Sequence, residues 1–214
     1  MLSPAAGGRA CWRTGCAGAE LEIFLENQQR LGRRALGPGH ANPHVGVGLV
    51  DDADFTGRLL VDCGLFQGPK TLKALNYGIF PFRPADIDTV LLTHAHIDHS
   101  GLLPKLVREG FRGRIMATRG TIDLCSYMLP DAGNIQESEV VMLNRRNAAR
   151  GRAEVAPIYT QADAVDSLAA FRAIDYETWF EAMPGVRARY WNAGHLLGSA
   201  SIELEFAGEG AGGK

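Results

Sequence analysis

The stretch Thr93-His94-Ala95-His96-Ile97-Asp98-His99 brings three histidines and one aspartate into six residues. The apolar run that leads into it, residues 89–93, predicts a short strand that is buried on both faces. His94 and His96 point to the same side of an extended segment, because side chains repeat their direction every two residues. A turn after them brings Asp98 and His99 to an adjacent point. Imidazole and carboxylate groups are the ligands of zinc sites that keep open positions for water, so this stretch predicts a hydrolytic metal site.

Two further residues complete the predicted site. His195 lies between Gly194 and Gly198, which allow the backbone to approach a crowded centre, and we expect it to be the third imidazole of a first metal ion. Asp62 ends a strand predicted for residues 58–62, and we expect its carboxylate to accept a hydrogen bond from a ligand histidine. Two metal ions about 3.5–4 Å apart could stabilise both the attacking and the leaving oxygen of a phosphodiester.

Three other residues of ligand type are predicted not to bind a metal. Cys63 follows Asp62 directly, and we expect it to be a small buried residue rather than a ligand. His40 and His44 have a spacing that could bind a metal on a helix. Prolines at positions 38 and 43 disfavour a helix there, so we expect both to be loop histidines.

The composition is that of an ordinary globular protein. Of the 214 residues, 46% are apolar and 21% are charged, which allows one large domain or two small ones. No stretch approaches the roughly 18–20 apolar residues of a membrane span, and the N-terminus lacks the apolar core of a secretory signal, so we expect no membrane association. The four cysteines form no C-x-x-C pair, which favours a reducing, cytoplasmic setting.

The net charge by itself indicates no particular binding partner. The net charge is −2, whereas a domain that binds nucleic acid alone usually shows a basic surface. Small basic clusters occur at Arg33-Arg34, Arg145-Arg146 and residues 150–152, and we interpret each of them as a solvated helix face. The sequence leaves a homodimer open.

Periodicity and turn signals predict the remaining elements. Strands are expected at residues 45–50, 58–62 and 114–117, and alternation predicts two half-buried strands at 186–190 and 202–206, with His195 in the loop between them. Helices are expected at 20–31, at 101–109 with Ser100 as N-cap and Gly110 after its end, at 120–129 and at 135–149. Residues 130–133 separate the last two. Thr160 and Asp163 form a capping box that opens a helix to about residue 172.

Four segments resemble the metallo-β-lactamase superfamily and, within it, the β-CASP group of RNA-processing nucleases. They are residues 61–68 (VDCGLFQG), residues 92–106 with the histidine cluster and its Ser-Gly-x-x-Pro continuation, residues 129–137 (LPDAGNIQE) and residues 194–199 (GHLLGS). The H-x-H-x-D-H core is typical of the whole superfamily. The Ser-Gly-x-x-Pro continuation, residues 129–137 and residues 194–199 favour this branch over lactamases, glyoxalases and lactonases.

The resemblance implies a fold and a set of ligands. It implies an α/β fold, the metallo-β-lactamase αββα sandwich in incomplete form. It also implies that His94, His96 and His195 hold a first zinc ion and that Asp98 and His99 hold a second. Asp62 would orient the site, and Asp98 would handle the proton of the attacking water. The implied activity is zinc-dependent hydrolysis of RNA phosphodiester bonds, with RNA as partner.

Departures from the family pattern leave alternatives open. The sequence contains no Ser/Thr-Gly-Asp motif after the last predicted strand, and neither a β-CASP domain nor a late histidine for the second zinc. Residues 1–44 do not resemble the start of the family domain. We therefore expect a divergent or poorly ordered segment at 1–44 and a partial, N-terminal catalytic domain at 45–214. The alternatives are a hydrolase of a small ester or lactone, and an inactive metal-binding remnant.

Overall fold

The strands in the part of the chain that the structure describes form two sheets. A computed structural model describes Arg9–Trp12, Phe24–Leu25 and residues 57–206. The strands are β1 (Arg9–Trp12), β2 (Phe24–Leu25), β3 (Leu59–Val61), β4 (Thr89–Leu91), β5 (Arg114–Ala117), β6 (Phe171–Ala173), β7 (Phe180–Met183), β8 (Val186–Asn192) and β9 (Ala200–Phe206). One sheet is antiparallel with the order β2-β1-β9-β8-β7, and the other is parallel with the order β3-β4-β5-β6.

The helices lie between the strands of the parallel sheet in the chain. They are α1 (Lys70–Ala74), α2 (Ile97–Ser100), α3 (Leu103–Arg108), α4 (Arg119–Ala148) and α5 (Gln161–Ser167), with single 3₁₀ turns at Leu75–Tyr77, Pro84–Asp86 and Leu168–Ala170. Parallel neighbours need a crossover connection, and helices commonly provide it. Within the described part of the chain, no helix combines the length and the apolar character that a membrane crossing needs.

Two apolar cores hold the layers together. Between the sheets, Leu91 of β4 belongs to one cluster with Tyr190 and Ile202 of the antiparallel sheet. On the other face of the parallel sheet, Val90 of β4 belongs to a second cluster with Leu106 of α3 and residues of α4 and α5. Val90 and Leu91 are both fully buried, so β4 is buried on both faces as its sequence predicts. The predicted α/β sandwich is confirmed.

The topology brings the predicted site to one edge of the parallel sheet. Because β3 and β4 are parallel, their carboxyl ends meet there, with Asp62 after one strand and Thr93 after the other. The β8–β9 hairpin is paired continuously from Val186–Phe206 to Asn192–Ala200. Its connecting loop, which carries His195, reaches the same edge because Ala200 N donates to Thr93 O at 2.9 Å.

The prediction of two helices at 120–129 and 135–149 is wrong, because α4 is one helix of 30 residues with Pro130 inside it. An interior proline removes a backbone donor and crowds the carbonyl four residues earlier. Packing on both sides of the proline keeps the helix continuous: Cys125, Leu129 and Gly133 are buried in one stripe. Gly133 lies so close to the start of α5 that a Cβ would be 2.7 Å from Gln161 N.

The predicted helix at 160–172 is too long, although its capping box is confirmed. Thr160 Oγ1 accepts from Asp163 N at 3.1 Å, and Asp163 Oδ2 accepts from Thr160 N at 2.8 Å. The helix α5 then ends at Ser167, and β6 begins at Phe171. Phe171 is buried and pairs with Ile115 of β5, so sheet pairing overrides the helical pattern of this segment.

The start of the predicted helix at 101–109 also differs. Ser100 is the last residue of α2 rather than an N-cap, and its hydroxyl donates to the carbonyls of Ala95 and His96. The helix α3 begins at Leu103. Gly110 follows the end of α3 with a φ of 116°, which confirms the predicted C-terminal glycine.

The other element predictions divide into three groups. The strands at 58–62, 89–93, 114–117, 186–190 and 202–206 are present as β3, β4, β5, β8 and β9. The predicted helix at 20–31 is wrong at Phe24–Leu25, which forms β2, and β7 was not predicted. The predicted strand at 45–50 and the histidines at positions 40 and 44 lie outside the described residues.

Candidate metal centre

The loops after β3 and β4 are fastened to each other around Asp62. This residue has a φ of 58°, a left-handed conformation that aspartate tolerates better than most residues. Asp62 Oδ1 accepts from Thr93 N at 2.8 Å, and Asp62 Oδ2 accepts from Thr93 Oγ1 at 2.9 Å. Cys63 N donates to His99 O at 2.7 Å. The backbone that carries the histidine cluster is therefore held against the end of β3.

The loop that carries His195 is fastened to the start of α4. Thr118 Oγ1 and Thr121 Oγ1 both donate to Gly198 O, the second at 2.8 Å. Gly198 has a φ of 79°, and a Cβ there would lie 2.2 Å from Thr121 N. Only glycine combines this backbone conformation with so close an approach to the helix.

Ser199 and Tyr176 hold the same loop from the other side. Ser199 Oγ accepts from His195 N and from Leu196 N, both at 3.1 Å. The Tyr176 hydroxyl donates to Ser199 O at 2.9 Å. The sequence pattern predicted no role for Ser199, Tyr176, Thr118 or Thr121. A Thr-x-x-Thr pair at the start of a helix is a capping signal, which could have drawn attention to the last two.

Three imidazole rings converge at this edge. His94 Nε2 lies 3.1 Å from His96 Nδ1, and His195 Nε2 lies 3.2 Å from the same atom. The ligand nitrogens of the three residues all lie within 4.8 Å of one another. His94 is buried, His195 is half-buried and His96 is exposed, so the group opens from the interior toward solvent.

Two of the three nitrogen spacings suit a tetrahedral metal ion. Zinc binds imidazole nitrogen at about 2.0–2.1 Å, which puts two nitrogens of one tetrahedron about 3.3 Å apart. His96 Nδ1 lies 3.1 Å from His94 Nε2 and 3.2 Å from His195 Nε2, and both separations are close to that value. Three nitrogens with a solvent-facing side leave a fourth position open, as catalytic sites require.

Asp98 and His99 form a pair beside the three histidines. His99 Nε2 lies 3.8 Å from Asp98 Oδ2, and the ring centroids of His94 and His99 are 4.0 Å apart. The other nitrogen of His99, Nδ1, lies 2.7 Å from Asp62 Oδ2. This contact turns His99 Nε2 toward the carboxylate of Asp98, so the pair offers one nitrogen and one oxygen donor.

Burial and neighbouring charges shift the pKa values of His94 and His99 in opposite directions. Burial, with the neighbouring histidines, lowers the pKa of His94 to about 3, so this imidazole is neutral near pH 7. Burial also acts to lower the pKa of His99, but the hydrogen bond and the negative charge of Asp62 outweigh it and raise this pKa above its ordinary value. A neutral imidazole is the form that binds a metal.

Cys63 takes no part in this group. Its side chain is 3% exposed, and burial, reinforced by the charge of Asp62, raises the pKa of its thiol. A thiol with a raised pKa is a poor metal ligand, because the thiolate is the form that binds. The prediction that Cys63 is a small buried residue is confirmed.

Comparison with known proteins identifies the family. A family model described as the metallo-beta-lactamase superfamily matches residues 35–118. Ribonuclease TTHA0252 of Thermus thermophilus is 37% identical over 153 residues, which are 72% of this chain and 30% of that protein. Transcription termination factor FttA of Methanococcus maripaludis is 33% identical over 178 residues, 83% of this chain and 24% of that protein.

Two more distant similarities accompany these matches. Cleavage and polyadenylation specificity factor 73 of Drosophila melanogaster is 30% identical over 157 residues, 72% of this chain and 21% of that protein. Among solved structures, the Rm3 metallo-beta-lactamase is 23% identical, covers 77% of this chain and 51% of its own, and has a TM-score of 0.42.

The chain belongs to the metallo-β-lactamase superfamily. Within that superfamily, the relatives named above, other than the lactamase, belong to the β-CASP group of RNA-processing nucleases. The superfamily is metal-dependent, and this chain has a histidine group that could bind a metal. The chain spans between about a fifth and a third of the length of the three RNA-processing relatives.

The structure thus brings all six predicted site residues to one sheet edge. His94, His96 and His195 form the convergent group, Asp98 and His99 form the adjacent pair, and Asp62 lies behind both. Thr93 belongs to the motif, but its position in the sequence predicts no role for it. In the structure, Thr93 contacts Asp62 and His94, and its carbonyl accepts from Ala200 N at the start of β9.

Proposed function

We propose that this chain carries the metal site of a zinc-dependent hydrolase that cleaves RNA phosphodiester bonds. The observation that carries the proposal is the convergence of His94 Nε2, His96 Nδ1 and His195 Nε2 within 4.8 Å of one another, with His96 Nδ1 at 3.1 and 3.2 Å from the other two. RNA as substrate is supported by the relatives, which are named as ribonucleases and RNA-processing or termination factors. Those names favour RNA over a small ester or lactone.

In this proposal, His94, His96 and His195 hold a first zinc ion, and Asp98 and His99 contribute to a second. Nitrogen donors in a tetrahedral arrangement suit zinc, and adding one carboxylate keeps the set within zinc chemistry. When bound, zinc supplies Lewis-acid stabilisation of the charge on the phosphate and a lower pKa for an attacking water. The identity of the metal and the number of ions remain part of the proposal.

The two aspartates have different tasks in this proposal. The Asp98 side chain is 34% exposed and lies at the open side, where its Oδ2 can take the proton from the attacking water. The Asp62 side chain is 6% exposed, and both of its oxygens already accept hydrogen bonds from Thr93 and His99. Asp62 therefore acts by positioning histidines rather than by touching substrate.

Other sequence-based expectations stay predictions. They are a cytoplasmic location and a boundary between residues 44 and 45. A homodimer stays open.

The test is metal-dependent cleavage of labelled single-stranded and structured RNA by the purified chain, with a generic small ester assayed in parallel. We expect RNA cleavage that a chelator abolishes and added zinc restores. The variants His96→Ala and Asp98→Asn should lose it while keeping the wild-type circular dichroism spectrum. Asp166→Asn is the matched control, since Asp166 is exposed on α5 and its loss removes the same charge.

Three outcomes would contradict the proposal. Undiminished cleavage by His96→Ala would show that the metal site takes no part in the reaction. Hydrolysis of the ester without cleavage of RNA would favour the small-substrate alternative. Tight zinc binding without turnover of either substrate would identify the chain as an inactive metal-binding form.

A further inference from the structure

The hydroxyl of Thr93 lies between a carboxylate and an imidazole. Thr93 Oγ1 is 2.9 Å from Asp62 Oδ2 and 2.8 Å from His94 Nδ1. All three residues are buried, with exposed fractions of 2% for Thr93, 4% for Asp62 and 2% for His94. Because water has so little access here, each of the two contacts must be a hydrogen bond between protein groups.

The direction of both hydrogen bonds follows from counting protons. A threonine hydroxyl has one proton to donate and can accept through its lone pairs, whereas a carboxylate only accepts. The Thr93 proton must therefore point to Asp62. If it pointed to His94 instead, lone pairs of the Thr93 and Asp62 oxygens would face each other at 2.9 Å. The hydroxyl is then left as an acceptor for His94, so His94 Nδ1 must carry a proton.

We propose that Thr93 is a positioning residue whose hydroxyl, held by Asp62, fixes His94 in the tautomer protonated on Nδ1. A neutral imidazole has one N–H, so this tautomer leaves the lone pair on His94 Nε2. That atom is the one that faces His96 Nδ1 at 3.1 Å. The inference rests on the proposed metal site, because it explains how His94 presents a ligand atom there.

The same carboxylate thereby orients two imidazoles. Asp62 Oδ2 contacts His99 Nδ1 directly at 2.7 Å and reaches His94 through the Thr93 hydroxyl. In both rings Nδ1 makes a hydrogen bond, and Nε2 is left as the atom that faces the candidate metal centre. Partners of this kind fix the tautomer of a ligand histidine and strengthen metal binding.

The first experiment reads the tautomer in the metal-free chain. Long-range ¹H–¹⁵N correlation NMR on protein labelled with ¹⁵N-histidine distinguishes a protonated from an unprotonated nitrogen in each ring. We expect a protonated Nδ1 and a free Nε2 for His94 in the wild type and in Thr93→Ser, which keeps the hydroxyl. In Thr93→Val we expect this preference to be lost, with protonated Nε2 becoming populated.

A matched control separates this effect from loss of a buried hydroxyl in general. Thr89 lies on β4, the strand that leads to Thr93, is 1% exposed, and donates through Oγ1 to Ala182 O at 2.7 Å. Thr89→Val should leave the His94 tautomer unchanged. A protonated Nε2 on His94 in the wild type would overturn the inference without any variant. An unchanged tautomer in folded Thr93→Val would overturn it as well.

The second experiment titrates cobalt(II) into the metal-free chain and follows its visible absorption bands. Thr93→Val should weaken cobalt binding by about 10-fold or more, and Thr93→Ser should restore most of the affinity. Equal affinity of Thr93→Val and wild type would contradict a positioning role. If the wild type binds no cobalt although His94 is protonated on Nδ1, the proposed metal site fails while the hydrogen-bonded relay through Thr93 stands.

Discussion

Replacing Gly198 by alanine tests how tightly the third histidine is positioned. Gly198 has a φ of 79°, and a Cβ there would lie 2.2 Å from Thr121 N and 2.6 Å from the carbonyl carbon of Gly120. Both neighbours are backbone atoms of α4, so neither can rotate away. The loop itself must move, and His195 moves with it because it lies three residues earlier.

The size of that movement can be worked from the structure. An ordinary contact between heavy atoms is about 3.5 Å, so relieving the 2.2 Å approach requires a shift of about 1 Å. Metal–ligand distances tolerate only about 0.2 Å. A left-handed alanine adds about 1–2 kcal/mol of backbone strain. We therefore expect Gly198→Ala to weaken metal binding by about 100-fold and to lower the free energy of unfolding by about 2 kcal/mol or more.

Two other glycines serve as controls in cobalt titration and urea unfolding of the same preparations. Gly194 lies in the same loop with a φ of 67°, and Gly151 follows α4 with a φ of 62°; a Cβ at either would meet no atom within 4 Å. Their alanine variants should lose about 1 kcal/mol of stability and keep metal affinity within a few-fold. Wild-type cobalt affinity in Gly198→Ala would refute the reasoning.

Three further predictions concern stability, each measured by urea unfolding of the metal-free chain. Lys105→Met should lower the unfolding free energy by about 2 kcal/mol, because the buried ammonium donates to the carbonyls of Asn76 and Gly78; wild-type stability would contradict this. Pro130→Ala should raise it by about 1 kcal/mol by restoring a helical donor, and a loss would contradict this. The pKa of His94 is lowered to about 3 in the folded state, so protonation favours the unfolded state and stability falls as pH drops below about 6.5. His94→Gln should reduce the loss between pH 7 and pH 5 by about 2 kcal/mol, and equal losses would contradict the assignment.

Local patterns were enough to predict which side chains meet at the candidate metal centre. The spacing in His94-x-His96 places two rings on one side of an extended segment, and Asp62 follows an apolar strand. Each of these statements depends on a few neighbouring residues. The same holds for the Thr160–Asp163 capping box and for the alternating strands β8 and β9.

The features that the sequence did not predict depend on distant contacts. Pro130 and Gly133 look like a helix break until the packing of α4 on α5 is known. Phe171 continues a helical pattern, but its pairing with β5 makes it a strand residue. The strand β7 is the exception, because it precedes Pro184-Gly185, a local turn signal that could have predicted the hairpin with β8.

The roles of the supporting side chains were also hidden. Thr93, Thr118 and Thr121 are ordinary strand-end and helix-start residues in sequence. Only the folded chain shows that the first contacts Asp62 and His94, and that the other two donate to the loop of His195. Contacts of this kind join residues up to 80 positions apart, and no local pattern encodes them.

X-ray absorption at the zinc edge, on the chain loaded with one equivalent of zinc, tests the three-histidine centre most directly. The account predicts a first shell of nitrogen and oxygen at about 2.0–2.1 Å with outer-shell scattering from three imidazole rings. In His195→Ala that scattering should fall to two rings. A sulfur shell at about 2.3 Å, which would implicate a cysteine such as Cys63, or scattering from fewer than three rings in the wild type, would contradict it.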